Sequence, residues 1–151
     1  WSESVAEIKT GNPVTDVILT QKQKEAEESG IAFDCKFVYP VDSNINAFDV
    51  SVILNNAIEN AFEGVNGCKD PYVSVLAYRK KNAYMLEVRN CISKGVEIDK
   101  ETGLPETTKK DKRSHGFGLA NIRKVAQKYY GDIDINQDEN SFTLTVMLMI
   151  E

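Results

Sequence analysis

The middle of one predicted helix carries an unusual group of asparagines. Asn55, Asn56 and Asn60 lie within six residues, although asparagine is a poor helix former. Asn56 and Asn60 are four positions apart, so they stack on one face of a helix. An amide oxygen is a hard, neutral ligand of the kind that Mg²⁺ takes when phosphates supply other ligands. The alternative is that these side chains are exposed or hydrogen-bond to the local backbone, and the three residues alone do not decide between the two.

A pair of glycines marks the start of another predicted helix. Gly116 and Gly118 follow His115, the only histidine in the chain. Glycines at a helix start let backbone N–H groups close on an anion such as a phosphate, and His115 could donate a hydrogen bond to the same group. Asn121 replaces the third glycine of a dinucleotide-binding turn, and the chain has no Walker-type phosphate loop, so both classes are excluded. A glycine pair alone is a weak signal, and a lone histidine is often structural or exposed.

The third candidate is Asn90, at the point where a predicted strand opens into a long loop. A carboxamide in this position can read the edge of a base, and the alternative is an asparagine that forms a turn. Residues 91–114 are polar, hold Gly95, Gly103 and Pro105, and show no convincing period. A structureless stretch of this length within a compact domain is usually a functional lid or disordered. We interpret it as a lid over a binding site.

These residues need a scaffold, and hydrophobic periodicity predicts its elements. Apolar stripes with helical spacing predict helices at residues 12–29, 49–64 and 118–130. Alternating or continuous apolar runs predict strands at residues 31–37, 72–78, 83–88, 132–136 and 142–150. The strands are grouped rather than strictly alternating with the helices, which favours one mixed sheet covered by helices on a single face.

Composition is typical of a soluble globular protein and narrows the possible partners. The 151 residues suffice for one domain, and the net charge of −5 argues against nucleic acid as the main partner. The three cysteines form no C-x-x-C pair, so neither a zinc site nor a disulfide framework is indicated, and a reduced, cytoplasmic setting fits. No apolar stretch reaches the roughly 18 residues that cross a bilayer. Because the chain begins at Trp1 without an initiator methionine, we expect a piece of a longer protein with its membrane anchor upstream.

The asparagine helix, the strand ending in Asn90, the long loop and the glycine-pair helix form a specific linear order. This order resembles the ATP-binding catalytic domain of sensor histidine kinases, within the superfamily of gyrase, chaperone, kinase and mismatch-repair ATPases. More narrowly, the chain is similar to the Agr-type branch of peptide quorum-sensing kinases. Residues 49–63 match the N box, residues 107–109 match the end of the lid and residues 115–119 match the second glycine box. The opening of that branch is matched at Thr10, Gly11, Asn12, Pro13, Asp16, Leu19, Lys22, Ala26, Gly30 and Ile31.

The resemblance implies a role for the asparagines. Asn60 would coordinate the Mg²⁺ that bridges the phosphates of ATP, and Asn56 would line the phosphate and metal site. Asn90 stands where most of the superfamily has the aspartate that binds the adenine amino group. An asparagine keeps the carbonyl acceptor but loses the charge, and residues 90–94 lack the glycines that usually follow. Asn56 stands where ATP-hydrolysing members carry a glutamate that activates water, so hydrolysis should be slow, as suits a kinase.

The glycine box and the lid would contact the phosphates. The resemblance implies that Gly116 and Gly118 approach them by backbone, within a box that also contains His115 and Leu119 as nucleotide-binding residues. Lys109 would contact a phosphate from the lid.

The implied fold is a two-layer α/β sandwich, the Bergerat ATP-binding fold, with a mixed sheet of about five strands and three main helices on one face. The implied function of the single domain, residues 1–151, is to bind Mg-ATP and supply the γ-phosphate to a histidine on a separate dimerisation domain. A response regulator would act downstream, and the full-length protein would be a homodimer whose catalytic domain lies on the cytoplasmic side of a bacterial membrane. Open alternatives are a non-catalytic interaction module of the same fold, a free-standing ATPase of the chaperone or mismatch-repair type, and an anti-sigma-type serine kinase.

Overall fold

The computed structural model describes residues 7–106 and 117–151, which form three helices and five strands. The helices are α1 (Pro13–Glu28), α2 (Ala47–Gly64) and α3 (Phe117–Lys128). The strands are β1 (Ala32–Lys36), β2 (Tyr72–Lys80), β3 (Ala83–Cys91), β4 (Asp132–Gln137) and β5 (Ser141–Met149). Every predicted helix and strand is present, and the differences concern their ends. Within the same ranges, no helix is long and apolar enough to span a membrane.

Asparagine caps set the starts of the two long helices. Asn12 caps α1 by accepting hydrogen bonds from the backbone N–H groups of Val14 and Thr15. In α2 the cap is Asn46, whose side chain accepts a hydrogen bond from the N–H of Phe48 at 2.7 Å. The helix therefore begins at Ala47 rather than at the predicted residue 49. The prediction started the helix with the apolar stripe, whereas the cap at Asn46 starts it two residues earlier.

The strands form one mixed sheet in the order β1-β2-β3-β5-β4. β1 pairs with β2 in parallel, and the remaining neighbours are antiparallel. The parallel pair is connected through α2, whereas β2 with β3 and β4 with β5 form antiparallel hairpins. This arrangement of helices and sheet confirms the predicted two-layer α/β sandwich.

The hydrophobic core lies between the sheet and the helices. Along β5, buried Phe142, Leu144, Val146 and Leu148 alternate with half-buried side chains, which is the pattern of a strand covered on one face. α2 packs against α1, α3, β2 and β3. Its buried residues are Val50, Ile53, Leu54, Ala57, Ile58 and Ala61, and full burial of one such leucine or isoleucine contributes about 1.5–3 kcal/mol. Because α2 is held on several sides, the polar residues on its remaining face have a firm support.

The long polar loop is partly structured. Ile98 and Pro105 form an isolated β-bridge. The side chain of Gln137 on β4 donates to the carbonyl oxygen of Val96 at 2.6 Å and accepts from the N–H of Val96 at 3.1 Å. The prediction of a structureless stretch is therefore wrong in part for residues 92–106, because backbone groups of this segment find partners that local periodicity does not reveal.

Candidate functional site

The end of α2 and the end of β3 meet without an intervening side chain. Gly64 is the last residue of α2, and a β-carbon built on it would lie 2.4 Å from Nδ2 of Asn90. Real β-carbons essentially never come this close to another heavy atom, so the contact requires glycine. Gly64 does not adopt a positive φ, and its role here is therefore close packing rather than a special backbone conformation.

The carboxamide of Asn90 is buried and oriented by a hydrogen bond. Only 2% of Asn90 is exposed, and its Nδ2 donates to the carbonyl oxygen of Cys91 at 2.8 Å. This contact engages one of the two N–H donors of the amide nitrogen. The carbonyl oxygen Oδ1 is then the atom that can accept a hydrogen bond from a ligand amino group.

Asn90 lines an open cavity of about 190 Å³. The other lining residues are Asn60, Gly64, Ile92, Val96, Pro105, Glu106 and Phe142. A mostly apolar wall with a few convergent polar groups is typical of small-molecule sites. The structure thus brings Asn60 and Asn90, which are far apart in the sequence, to one cavity.

Asn56 lies one turn before Asn60 and faces the start of α3. Its Nδ2 donates to the carbonyl oxygen of Val52 at 2.9 Å, which is the local backbone contact that the sequence left open as an alternative. Its Oδ1 is 3.5 Å from the place where a β-carbon on Gly118 would lie. That distance is ordinary van der Waals contact, so Gly118, unlike Gly64, has room for a methyl group.

Of the remaining predicted site residues, only Leu119 lies within the described part of the chain. The side chain of Leu119 is only 1% exposed and packs in the hydrophobic core, so its backbone is the part that can face a ligand. Lys109, His115 and Gly116 lie outside the described residues, and their roles stay predictions.

Gly64 is a part of the cavity that was not predicted from the sequence. A signal for it existed, because Asn56, Asn60 and Gly64 follow at intervals of four residues and share a helix face. Val96 and residues 105–106, which belong to the segment interpreted as a lid, also line the cavity, and the side chain of Gln137 on β4 holds Val96 in place.

Ion pairs hold α2 against its two neighbouring helices. Lys22 of α1 is buried and pairs with Glu59, next to Asn60 in the sequence. At the other end of α2, Asp49 accepts hydrogen bonds from Lys128 at 2.9 Å and from the hydroxyl of Tyr129. Burial disfavours the charged carboxylate, but these hydrogen bonds and the charge of Lys128 outweigh it and lower the pKa of Asp49 from its usual value.

The fold and the cavity define an α/β-sandwich domain that can hold a small ligand between α2, the sheet and residues 92–106. A comparison of the sequence with protein-family models identifies the family to which the chain belongs. Residues 45–149 match the family model described as "GHKL domain", and the chain belongs to this family. Membership of this family implies nucleotide binding.

Solved structures of histidine kinases have a similar fold. The nucleotide-free catalytic domain of histidine kinase ThkA matches with a TM-score of 0.68 at 17% identity, over 96% of this chain and 97% of that chain. The mycobacterial sensor histidine kinase MprB matches with a TM-score of 0.65 at 16% identity, over 91% and 94%. The Acinetobacter baumannii histidine kinase AdeS matches with a TM-score of 0.65 at 14% identity, over 90% of this chain and 62% of that chain. At these identities the likeness shows the fold alone. No curated protein matches the sequence significantly.

Proposed function

We propose that this domain binds Mg-ATP and supplies the γ-phosphate for phosphorylation of a histidine on a separate dimerisation domain. The observation that carries the proposal is the convergence of two amides, the buried Asn90 and Asn60, on one cavity. Membership of the GHKL family and the fold shared with histidine-kinase domains support it.

Asn90 is the residue that we assign to the base. Because its Nδ2 is engaged by the carbonyl oxygen of Cys91, its Oδ1 can accept a hydrogen bond from the amino group of adenine. The apolar side chains of Ile92, Val96 and Phe142 can pack against the ring. Guanine carries a carbonyl oxygen in place of that amino group, so two acceptors would face each other, and ATP should be preferred over GTP.

Asn60 is the residue that we assign to the metal. The described part of the chain contains no group of three or more His, Cys, Asp or Glu side chains that could hold a metal ion. A single amide oxygen nevertheless fits Mg²⁺, which usually keeps several waters and takes further oxygens from substrate phosphates. Asn60 therefore suits a metal that arrives with the nucleotide, and Mg²⁺ held there would neutralise charge on the phosphates during transfer.

We assign Asn56 and Gly118 to the phosphates. An amide is not a general base, and Nδ2 of Asn56 is occupied by the backbone of Val52, so we expect little activation of water and slow hydrolysis. The start of a helix such as α3 favours negative charge. Lys109, together with residues 115–116, would complete the phosphate contacts.

The phosphoacceptor must lie outside this chain. His115 is the only histidine, and we assign it to the nucleotide, so the domain needs a partner that carries the acceptor. We propose that this partner is the dimerisation domain of the same longer protein. That protein would be a homodimeric, membrane-associated sensor kinase of the Agr-type quorum-sensing branch, with a response regulator downstream.

The test is a phosphotransfer assay with γ-labelled ATP and a separately supplied helical dimerisation domain. We expect acid-labile label on the acceptor histidine only when both proteins and Mg²⁺ are present, and none on this domain alone. Stable label on a histidine of the isolated domain would contradict the proposal. Acid-stable label on serine of an added protein would instead indicate a serine kinase.

A further inference from the structure

Two cysteine thiols meet beside the cavity. The thiol of Cys68, in the loop after α2, is close enough to interact with the thiol of Cys91, the last residue of β3. Cys68 is half-buried, and Cys91 is 8% exposed within the core. The Sγ of Cys91 also accepts a hydrogen bond from the N–H of Tyr72 at 3.4 Å, so this thiol is fixed by the sheet.

Further contacts hold residues 66–68 against residues 91–93. The hydroxyl of Ser93 donates to the carbonyl oxygen of Asn66 at 3.0 Å. A β-carbon on Gly67 would lie 2.7 Å from the same hydroxyl, and Gly67 has a φ of +87° that favours glycine. Residues 66–68 therefore lie directly against residues 91–93, and the meeting of the thiols follows from the packing of both segments.

Both cysteines are close in sequence to residues that line the cavity. Cys91 directly follows Asn90, and its backbone carbonyl oxygen accepts the hydrogen bond from the Asn90 amide. Cys68 comes four residues after Gly64, which also lines the cavity. We propose that Cys68 and Cys91 are a reversible oxidation site, and that their disulfide weakens nucleotide binding by displacing Asn90. The second part of this proposal rests on the proposed function, whereas the first part does not.

The chemistry requires a small-molecule disulfide as the oxidant. The Cys68 thiolate, from the more accessible of the two groups, attacks one sulfur of that disulfide, whose S–S bond breaks and releases one thiolate. The Cys91 thiolate then attacks the Cys68 sulfur, forms the protein disulfide and displaces the second small thiolate. The two thiol protons pass to the released thiolates, so the protein loses two electrons and the oxidant gains them.

The Cys68 thiol should react slowly at neutral pH. Burial, followed by the hydrogen bond with Cys91 and its charge, raises the pKa of the Cys68 thiol to about 11. The reactive thiolate is therefore a small fraction at neutral pH, and oxidation should require a sustained excess of oxidant or mildly alkaline conditions.

A disulfide must pull the two segments closer. The sulfurs of a disulfide are about 2.05 Å apart, which is much closer than two thiols that are not covalently bonded. Because Tyr72 holds Cys91 from the other side, we expect the strain to reach the peptide between Asn90 and Cys91. Displacement of Asn90 should lower the affinity for an ATP analogue by roughly 5-fold or more, within the usual range of coupling between sites.

The experiment treats the domain with oxidised glutathione at mildly alkaline pH, maps disulfides by mass spectrometry and titrates an ATP analogue before and after reduction. We expect a peptide joined through Cys68 and Cys91, weaker binding when oxidised and full recovery with reductant. Cys68→Ser should abolish both effects, and Cys35→Ala, on β1, should leave both intact.

The outcomes separate the two parts of the proposal. If glutathione attaches to the protein but Cys68 and Cys91 stay unlinked, the oxidation site is wrong. If the disulfide forms and the affinity is unchanged, the coupling is wrong. If the reduced domain binds no nucleotide, the proposed function fails and the coupling fails with it, while disulfide mapping still decides the oxidation site.

Discussion

Gly64 and Asn90 pack so closely that a β-carbon on Gly64 would lie 2.4 Å from Nδ2 of Asn90. The contact fixes the group that we assign to adenine, so Gly64→Ala should push the Asn90 carboxamide from its place. We expect this variant to bind an ATP analogue about tenfold more weakly, equivalent to ~1.4 kcal/mol. Gly95→Ala is the matched control, because nothing lies within 4 Å of a β-carbon on Gly95. Equal affinities of the two folded variants, measured by calorimetry, would contradict this account.

The hydrogen bond from Nδ2 of Asn90 to the carbonyl oxygen of Cys91 predicts that Asn90→Asp is not a neutral change. The introduced carboxylate would face another acceptor at a position that is only 2% exposed, at a cost of about 1–3 kcal/mol near neutral pH. Burial would raise the pKa of this carboxyl above its unfolded value. The variant should therefore be relatively more stable at low pH and lose that stability as pH rises through the folded pKa. Urea unfolding across pH measures the effect, and a variant as stable as the unsubstituted domain at neutral pH would refute it.

The scaffold could be predicted from sequence because its elements have local signals. The stripe of buried residues along α2 and the alternation along β5 appear directly in the sequence. The cap at Asn12 has an equally local signal, because asparagine is a preferred cap residue and the following Pro13 suits the first helical position. The two-layer arrangement followed from the order of these elements.

Only part of the candidate site could be predicted from such local signals. The four-residue spacing placed Asn56 and Asn60 on one helix face, but it could not show that Asn90 packs on Gly64. That contact depends on how α2 packs over β3 in the folded sheet. Residues 92–106 were misjudged for a similar reason, because their partner Gln137 is distant in sequence.

The two hydrogen bonds between Gln137 and Val96 predict that Gln137 stabilises one wall of the cavity. Gln137→Ala should loosen residues 96–106, since each lost bond removes about 0.5–1.5 kcal/mol. We expect faster amide hydrogen exchange in this segment and a several-fold loss of nucleotide affinity. Asn136→Ala, at an exposed neighbour on the same strand, is the control. Unchanged exchange of residues 96–106 in the Gln137 variant would show that other contacts hold the segment.

Asp49 should stabilise the domain in a pH-dependent way. Burial opposes its charge, but hydrogen bonds from Tyr129 and Lys128 lower its pKa in the folded protein. The stabilisation is therefore complete above the unfolded pKa and is lost as pH falls through the folded pKa. Asp49→Asn should cost about 1 kcal/mol at neutral pH, and the difference from the unsubstituted domain should vanish in acid.

Denaturant unfolding at several pH values tests this prediction. Asp134→Asn, at an exposed position on β4, should change stability little at any pH. A deficit of Asp49→Asn that persisted unchanged in acid would mean that packing, rather than charge, explains the loss.

The central claim is that Asn60 and Mg²⁺ hold ATP together in the cavity that Asn90 lines. Calorimetric titration with a non-hydrolysable ATP analogue, with and without Mg²⁺, tests it most directly. The proteins compared are the unsubstituted domain, Asn60→Ala, and Asn55→Ala as a control at an exposed position of the same helix. We predict Mg²⁺-dependent binding that survives Asn55→Ala and collapses in Asn60→Ala. Absence of binding to the well-folded unsubstituted domain, or binding indifferent to both Mg²⁺ and Asn60, would contradict the account and favour a non-catalytic interaction module.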